Sequence, residues 1–405
     1  MRKVLVVLIP LLILMIALIQ GNTLVWRLFA LSALAIGISL AWIYWGKRQL
    51  SGRLKNHGLR YQAGHPIDIE SVVYNNSLLP RPFLKLQIAS KLPIANNNVV
   101  VNLPSRGSYY WHTQVLQPQR GRYKLGPFIA EISDPFGLLH IQHKLDSEQE
   151  ILVYPKTVDL PSFWVSSNIS SGIGDNAWFN RGTGSVIFGI REYVPGDSLN
   201  HIHWPSTAHT GKLIVKEFDS DLAKKVWVIL DLNRESLVGK EKETTEEYAV
   251  SIAASILKKY ADTGCQVGLI SQTEDYHFFQ ARPGHPNMWR IQEALAVFRS
   301  TGKTSLGELI NRAQGNFDGN SIAVIITSFI NDGTLDAITH TQKRGIPVSL
   351  ILLDAASFGG KPLTPECRRR LRGMAVPVYQ VKKGDDVAET LNYQGKNLAV
   401  LAREG

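Results

Sequence analysis

KKVWVILDL, residues 224–232, is a nearly continuous apolar run of strand length. A half-exposed strand alternates apolar and polar residues, whereas an unbroken run of Val, Ile and Leu is the pattern of a strand covered on both faces inside a parallel sheet. The chain beyond it keeps that pattern. Thr244 and Glu247 form a capping box, and Tyr248, Ile252, Ile256 and Tyr260 recur at i, i+4, so a helix is expected to about Asp262, ending at Gly264. Strands at 266–271, 321–327, 348–353 and 376–381 alternate with helices near 287–299, 305–314, 334–344 and 365–372. The alternation predicts an open, doubly wound, Rossmann-type α/β sheet over residues 222–405.

The run before it, 188–221, reads FGIREYVPGDSLNHIHWPSTAHTGKLIVKEFDSD. It mixes turn formers, three histidines and alternating charges without a helical or strand period long enough to make a packing face. Residues 157–189, rich in Ser, Gly and Asn, read as an exposed crossing segment. Together 157–221 form a linker between two halves of different character.

Upstream, within residues 57–156, short apolar runs at 67–74, 83–89, 99–103, 109–115, 122–125, 128–132 and 138–142 are separated by Pro, Gly and Asn. Runs spaced by roughly 8 to 12 residues predict an all-β, immunoglobulin-like sandwich. Asp134 to Gly137, DPFG, reads as a tight turn around a buried phenylalanine.

Residues 1–56 are of a third kind. The apolar runs 4–19, carrying Pro10, and 24–45, interrupted only by Arg27, would extend ~24 Å and ~33 Å as helices. They predict a transmembrane hairpin, since no small-x-small cleavage site follows the first run. Lys47, Arg48, Arg53 and Lys55 crowd the far side of the second run and Trp42, Tyr44 and Trp45 sit at interfacial positions. The positive-inside bias then places both termini and the soluble domains in the cytoplasm, at the inner (plasma) membrane.

The totals narrow the function classes. In 405 residues with net charge +10, the basic residues are scattered and partly gathered beside the apolar N-terminus, which favours anionic lipid over nucleic acid. Cys265 and Cys367 alone cannot make a disulfide framework or a cysteine-rich metal site. In open α/β sheets ligands gather at the carboxyl ends of the strands. Those ends carry Asp231, Asn233, Glu235 and Ser236 after one strand, and Thr327, Ser328, Asn331 and Asp332 after another. Such oxygen ligands suit Mg²⁺ or Mn²⁺, and the same residue types are also ordinary turn and N-cap formers. STGKTS, 300–305, contains Gly302, Lys303 and Thr304, but a phosphate loop needs glycine where Val297 stands; a helix end followed by an N-cap is expected, with no ATPase site. His201 and His203 have strand spacing and, with His209, fall short of the four ligands of structural zinc. With no Gly-x-Ser-x-Gly elbow present, no catalytic residue is named.

Four stretches carry a resemblance: QRGRYKLGP at 119–127, DPFG at 134–137, LVYP at 152–155 and REYVPGDSLNHIHWPSTAHTGKLIVKEF at 191–218. Together they resemble the Domain of Unknown Function 58 family, bacterial membrane proteins with a von Willebrand factor A-like half. The resemblance implies a membrane-anchored partner of MoxR-type AAA+ ATPases and of transglutaminase-like membrane proteins, without an established activity. Asn200 and His209 stand where family members usually carry arginine. Metal-binding von Willebrand A domains use Asp-x-Ser-x-Ser; here Asp231, Asn233 and Glu235 hold those places, and Ser328 replaces a common ligand aspartate, so a degenerate metal site is implied. The expectation is a non-enzymatic scaffold without a cofactor, with Arg191, Asp197, His203, Trp204 and Lys216 as interaction residues. The alternative is a Mg/Mn-dependent enzyme or metal-dependent adhesion-type binding domain acting on an envelope component, with Asp231, Asn233, Glu235 and Asp332 as ligands.

Overall fold

The computed structural model describes residues 2–56, 60–137, 139–163, 187–193, 202–218, 225–240, 243–374 and 376–393. It divides into two units, Met1–Tyr154 and Pro155–Gly405.

The first unit opens with α1 (Arg2–Gln20) and α2 (Thr23–Gln49), and Asn22 caps α2 by accepting a hydrogen bond from Leu24 N at 2.9 Å. At 1.5 Å per residue α2 is about 40 Å long. Among the described residues it is the one helix long and apolar enough to cross a membrane; the apolar stretch of α1, Leu8–Gln20, is shorter. Such a helix near the N-terminus suggests membrane anchoring or a signal sequence.

α2 runs without a loop into β1 (Leu50–Asn56), so residues 50–56, grouped with the anchor on sequence, are a strand of the β region. The others are β2 (Tyr61–Gln62), β3 (Ile67–Asn75), β4 (Arg81–Ser90), β5 (Asn98–Leu103), β6 (Ser108–Val115), β7 (Gly121–Ser133), β8 (His140–Asp146) and β9 (Gln149–Tyr154). One sheet has the order β1-β3-β6; the other runs β2-β9-β7-β4-β5, with β8 also on β7. A single core lies between them, taking Leu54, Ile69 and Trp111 from the first sheet and Leu86, Phe128 and Ala130 from the second. The expected strands 122–125 and 128–132 are one strand, β7. Gly126 and Pro127 fall where β7 changes partner, from β9 over Gly121–Leu125 to β8 over Phe128–Ser133. A proline there forfeits little, because the ladder is already being handed over. The DPFG turn also departs from expectation. Asp134 is the buried residue and Phe136 is 55% exposed.

In the second unit an antiparallel ribbon, β10 (Ile187–Glu192) and β11 (Ile214–Phe218), flanks a short helix, α3 (Trp204–Thr210). The stretch without visible period thus holds three regular elements, each too short for a period to register. Next come β12 (Lys225–Leu230), the two-residue strands β13 (Gly239–Lys240) and β14 (Glu243–Thr244), and α4 (Thr245–Asp262). α4 is capped by Thr244, which accepts from Glu247 N, as the capping box requires. The remaining elements are β15 (Gln266–Gln272), β16 (Tyr276–Arg282), α5 (His285–Val297), α6 (Leu306–Ala313), β17 (Ser321–Thr327), α7 (Asp332–Lys343), β18 (Val348–Leu353), α8 (Pro365–Gly373) and β19 (Val378–Val381).

The sheet order is β16-β15-β12-β17-β18-β19, with β12 inside it. Val226, Val228 and Leu230 enter the core beneath α4 and α5, while Trp227 and Ile229 enter the core beneath α6, α7 and α8. Both faces are covered, as the unbroken apolar run demanded. Five strands are parallel; β16 is an antiparallel edge strand that the sequence did not announce, since adjacent Phe278 and Phe279 break the alternation of a half-covered strand in its run YHFFQAR. The start of the crossing segment, expected to be exposed, is anchored in the core by two of its residues. Leu160 and Phe163 lie in the core against α4, and the Lys259 ammonium donates to the carbonyls of Leu160, Pro161 and Phe163. Residues 164–186 lie outside the described residues.

Candidate functional site

The carboxyl ends of β12 and β17 are joined by polar side chains. Asp231, the first residue past β12, is buried; its Oδ1 accepts from Asn233 N at 3.0 Å, and its Oδ2 lies 2.6 Å from Thr327 Oγ1 at the end of β17. Burial pushes the Asp231 carboxyl up to about 6, outweighing the hydrogen bonds from Thr327, Asn233 and Ser236. The geometry agrees with a protonated acid. Thr327 Oγ1 is also 2.8 Å from Phe329 O and accepts from Phe329 N at 3.0 Å. One hydroxyl hydrogen cannot serve two acceptors, and a proton on Asp231 donated to Thr327 frees that hydrogen for Phe329 O.

Three further bonds close the site. Ser328 Oγ donates to Ser236 O, which ties the two strand ends together directly. Asn233 uses both ends of its amide: Oδ1 accepts from Glu235 N at 2.8 Å to cap a 3-10 turn, Arg234–Ser236, and Nδ2 donates to Thr304 O at 2.8 Å. The 300–305 stretch does supply the expected N-cap, since Ser305 Oγ accepts from Glu308 N in α6. It also fastens the loop to the strand end. Gly302 N donates to Leu232 O at 3.0 Å and Arg234 N donates to Gly302 O at 2.9 Å, which stitches the loop to the end of β12. The available signal was Gly302 itself, a glycine between two helices, where close backbone approach is one of the few reasons to lack a Cβ.

Around these satisfied groups the rim is open. Glu235 and Lys303 are exposed, as are Leu237 at 41% and Phe329 at 46%, the residues that follow the tied pair Ser236 and Ser328.

The four candidate metal ligands do not converge. Asp231 faces Thr327 and Asn233 divides its amide between Thr304 and Glu235. Glu235 is exposed and Asp332, in the first turn of α7, accepts from Arg370 at 2.6 Å. Arg370 spans Asp332 and Asp336. Among the described residues no three His, Cys, Asp or Glu side chains stand where they could hold a metal ion. Asp231 and Asn233 are engaged with protein groups and Asp332 is paired with Arg370, so of the four only Glu235 presents its carboxylate to solvent without a bond to the others.

The signature residues lie apart from one another in role. Arg191 and Lys216 are on opposite strands of the β10/β11 ribbon, paired in register with Val215 and Ile190. Asp197, Asn200 and His201 lie outside the described residues. His203 is not on a strand: it is the N-cap of α3, its Nδ1 lying 2.7 Å from Ser206 Oγ and accepting from Ser206 N at 3.3 Å. Trp204, which opens α3, is 64% exposed, and His209 is exposed in the last turn. Replacing His203 by alanine removes a cap worth about 1 kcal/mol. Amide hydrogen exchange at residues 206–210 is expected to quicken by about fivefold at that cost, and unchanged protection would show that the cap carries no load.

Residues 189–357 match the family model described as "Protein of unknown function DUF58". A curated relative, "Uncharacterized protein YeaD" of Bacillus subtilis (strain 168), is 22% identical over 178 residues, 44% of this chain and 43% of its own length. The match thus spans less than half of the relative. Both findings support the family for this segment. Among solved structures, pilus adhesin SpaC from Lactobacillus rhamnosus GG shares 12% identity at TM-score 0.35, over 44% of this chain and 31% of that one. Proximal thread matrix protein 1 from the mussel byssus shares 14% identity at TM-score 0.34, over 44% of this chain and 48% of that one. A CARDB domain from Pyrococcus furiosus shares 15% at TM-score 0.20, over 26% and 86%. Scores so low carry no argument about fold or role.

Proposed function

We propose that this chain is a membrane-tethered docking protein, a scaffold and not an enzyme, whose α/β unit receives a protein partner at the strand-end rim. The observation that carries this reading is the pairing of a self-satisfied polar cluster with two exposed apolar side chains. Leu237 and Phe329 stand beside bonded Ser236 and Ser328, with Glu235 and Lys303 around them. Apolar anchors on a rigid base with a charged surround are the make-up of an interface hot spot. A reactive centre needs groups left free to move protons or electrons, and here the polar atoms are engaged with each other.

In this reading the α/β unit is von Willebrand factor A-like, the β unit is immunoglobulin-like, and α2 holds both at the membrane. Lys47 and Arg48 at the end of α2, with Arg53 and Lys55 in β1 just beyond it, support a cytoplasmic side for both, where ATP is available to a partner. A MoxR-type AAA+ ATPase is the partner implied by the family resemblance, with a transglutaminase-like membrane protein as a further neighbour. Exposed Trp204 and the β10/β11 ribbon are a second contact in the same interaction.

Detergent-solubilised membranes supply the test. Quantitative mass spectrometry of tagged full-length chain is expected to recover an AAA+ ATPase. A Leu237→Asp, Phe329→Asp variant is expected to lose it by more than tenfold, as loss of a hot spot of 2 kcal/mol or more requires. Equal recovery by both chains would contradict the proposal.

A further inference from the structure

Two parts of the β unit are fastened to the second half of α2. The buried carboxylate of Asp134 accepts hydrogen bonds from Ser39 Oγ at 2.7 Å, Phe136 N at 3.1 Å and Leu139 N at 2.6 Å. Arg81 lies over the Trp42 ring at 5.2 Å from its centroid and donates from Nη1 to Trp42 O at 3.2 Å. It also lies against Gly46, where an added Cβ would come within 2.8 Å of the guanidinium. Ser39, Ile43 and Gly46 recur on one stripe of the helix and are its buried residues. The β unit therefore has no free swing about α2, least of all because β1 follows it directly.

These contacts set a depth. Ser39 lies about 12 Å along the helix axis from Lys47, the first charge after the apolar run. The headgroup layer on each side of the ~30 Å hydrocarbon core is only about 5 to 8 Å thick. With Lys47 at the headgroups, Ser39 and the carboxylate bonded to it sit at or inside the hydrocarbon boundary. A carboxylate can rest at that level only if protein donors satisfy it, which Ser39, Phe136 and Leu139 do. Beside it Phe136 is 55% exposed, and Phe83, two residues from Arg81, is 70% exposed. Phe83 stands at a register shift of β4 with φ 52, a left-handed conformation that costs a bulky residue energy, held by Asn102 Oδ1 accepting from Phe83 N. Water gives an exposed phenylalanine no return for that strain; a lipid interface does.

We propose that the 134–137 turn and the 81–84 bulge of the β unit are seated in the lipid interface, with Phe136 and Phe83 inserted beside α2 and the Asp134–Ser39 bond as the latch. The inference rests on α2 being a membrane helix. Lipid is the occupant because both parts bond to α2 at a depth where bilayer surrounds the helix. Tyr44 and Trp45, exposed on α2 at that level, continue the same aromatic belt.

The test uses the full chain in phosphatidylcholine–phosphatidylglycerol vesicles. Both native cysteines are buried, so a nitroxide labels an introduced surface thiol selectively. Labels go at Phe136→Cys, Phe83→Cys, Leu31→Cys within α2, and Leu116→Cys, about 24 Å from α2 along the β3–β6 ladder. Collisions with oxygen are expected to dominate at 31, 83 and 136, and collisions with a water-soluble nickel chelate at 116. Adding Asp134→Ala to Phe136→Cys is expected to raise nickel collisions at 136 severalfold, and no change there would overturn the latch. Nickel dominance at 83 and 136 with oxygen dominance at 31 would overturn the proposal while leaving the membrane helix intact. Nickel dominance at 31 would overturn both.

Discussion

Replacing Asp231 by asparagine is expected to stabilise the α/β unit by about 3 kcal/mol at pH 7.5, and to leave it unchanged near pH 4. The magnitude follows from the carboxyl being pushed from 3.8 to about 6 by burial. Because the folded value lies above the unfolded one, the folded chain holds its proton where the unfolded chain has lost it. The group therefore favours folding fully below about pH 4, and that contribution fades as pH rises through 6. Above that, folding must either bury a charge or take up a proton. Asparagine mimics the protonated acid, its NH₂ donating to Thr327 Oγ1 as the acid proton would. The measurement is urea-dependent hydrogen exchange at β12 and β17 in the full chain, at pH values from 4 to 7.5 after correction for intrinsic exchange. A variant less stable than the native chain at pH 7.5 would mean that the carboxylate, not the acid, is the form these groups hold. Perturbed, costly carboxyls gather at functional sites, which is a reason to look for function at this one.

Gly302→Ala is expected to cost about 2 to 4 kcal/mol. An added Cβ would stand 2.5 Å from Gln272 O and 2.9 Å from Leu232 O, both backbone atoms that no rotamer change can move. To relieve the clash the loop must lift, breaking Gly302 N to Leu232 O and Arg234 N to Gly302 O and carrying Thr304 O away from Asn233. The comparison is Gly319→Ala, at an exposed glycine whose Cβ would meet nothing within 4 Å; it is expected to change stability by less than about 0.5 kcal/mol. The same exchange measurement distinguishes them, and equal effects would show that the loop is not stitched to β12. Lys303 rides on this loop, so Gly302→Ala is also expected to weaken partner recovery.

The α/β half was legible because its signals are long. A six-residue apolar run, a capping box and helices at 3.6-residue period each leave a pattern that only one structure satisfies, and β12, α4, β15, β17 and β18 lie within two residues of where that pattern puts them. β16 was hidden because Phe278 and Phe279 stand side by side and break the alternation that marks a half-covered strand, and α3 because seven residues hold barely two turns. The β half was legible as strands but not as pairings: β7 read as two strands, since Gly126 and Pro127 look like a break until the exchange of partners there is known. The site was half visible. Asp231, Ser236, Thr327 and Ser328 could be named from strand ends, but Gly302 and Thr304 arrive by a loop about 70 residues away in sequence, and nothing local marks a contact of that range. The exposure of Phe136 is not legible in the sequence, because a phenylalanine after Asp-Pro has no period to show which way it faces.

In-cell photo-crosslinking from the strand-end rim tests the docking claim most directly. With a benzophenone amino acid at position 329 or 237 of the full chain, an adduct with an AAA+ ATPase is expected, and it should vanish when Gly302→Ala is added. Adducts from position 204 alone, with none from 329 or 237, would contradict the strand-end rim as the docking face.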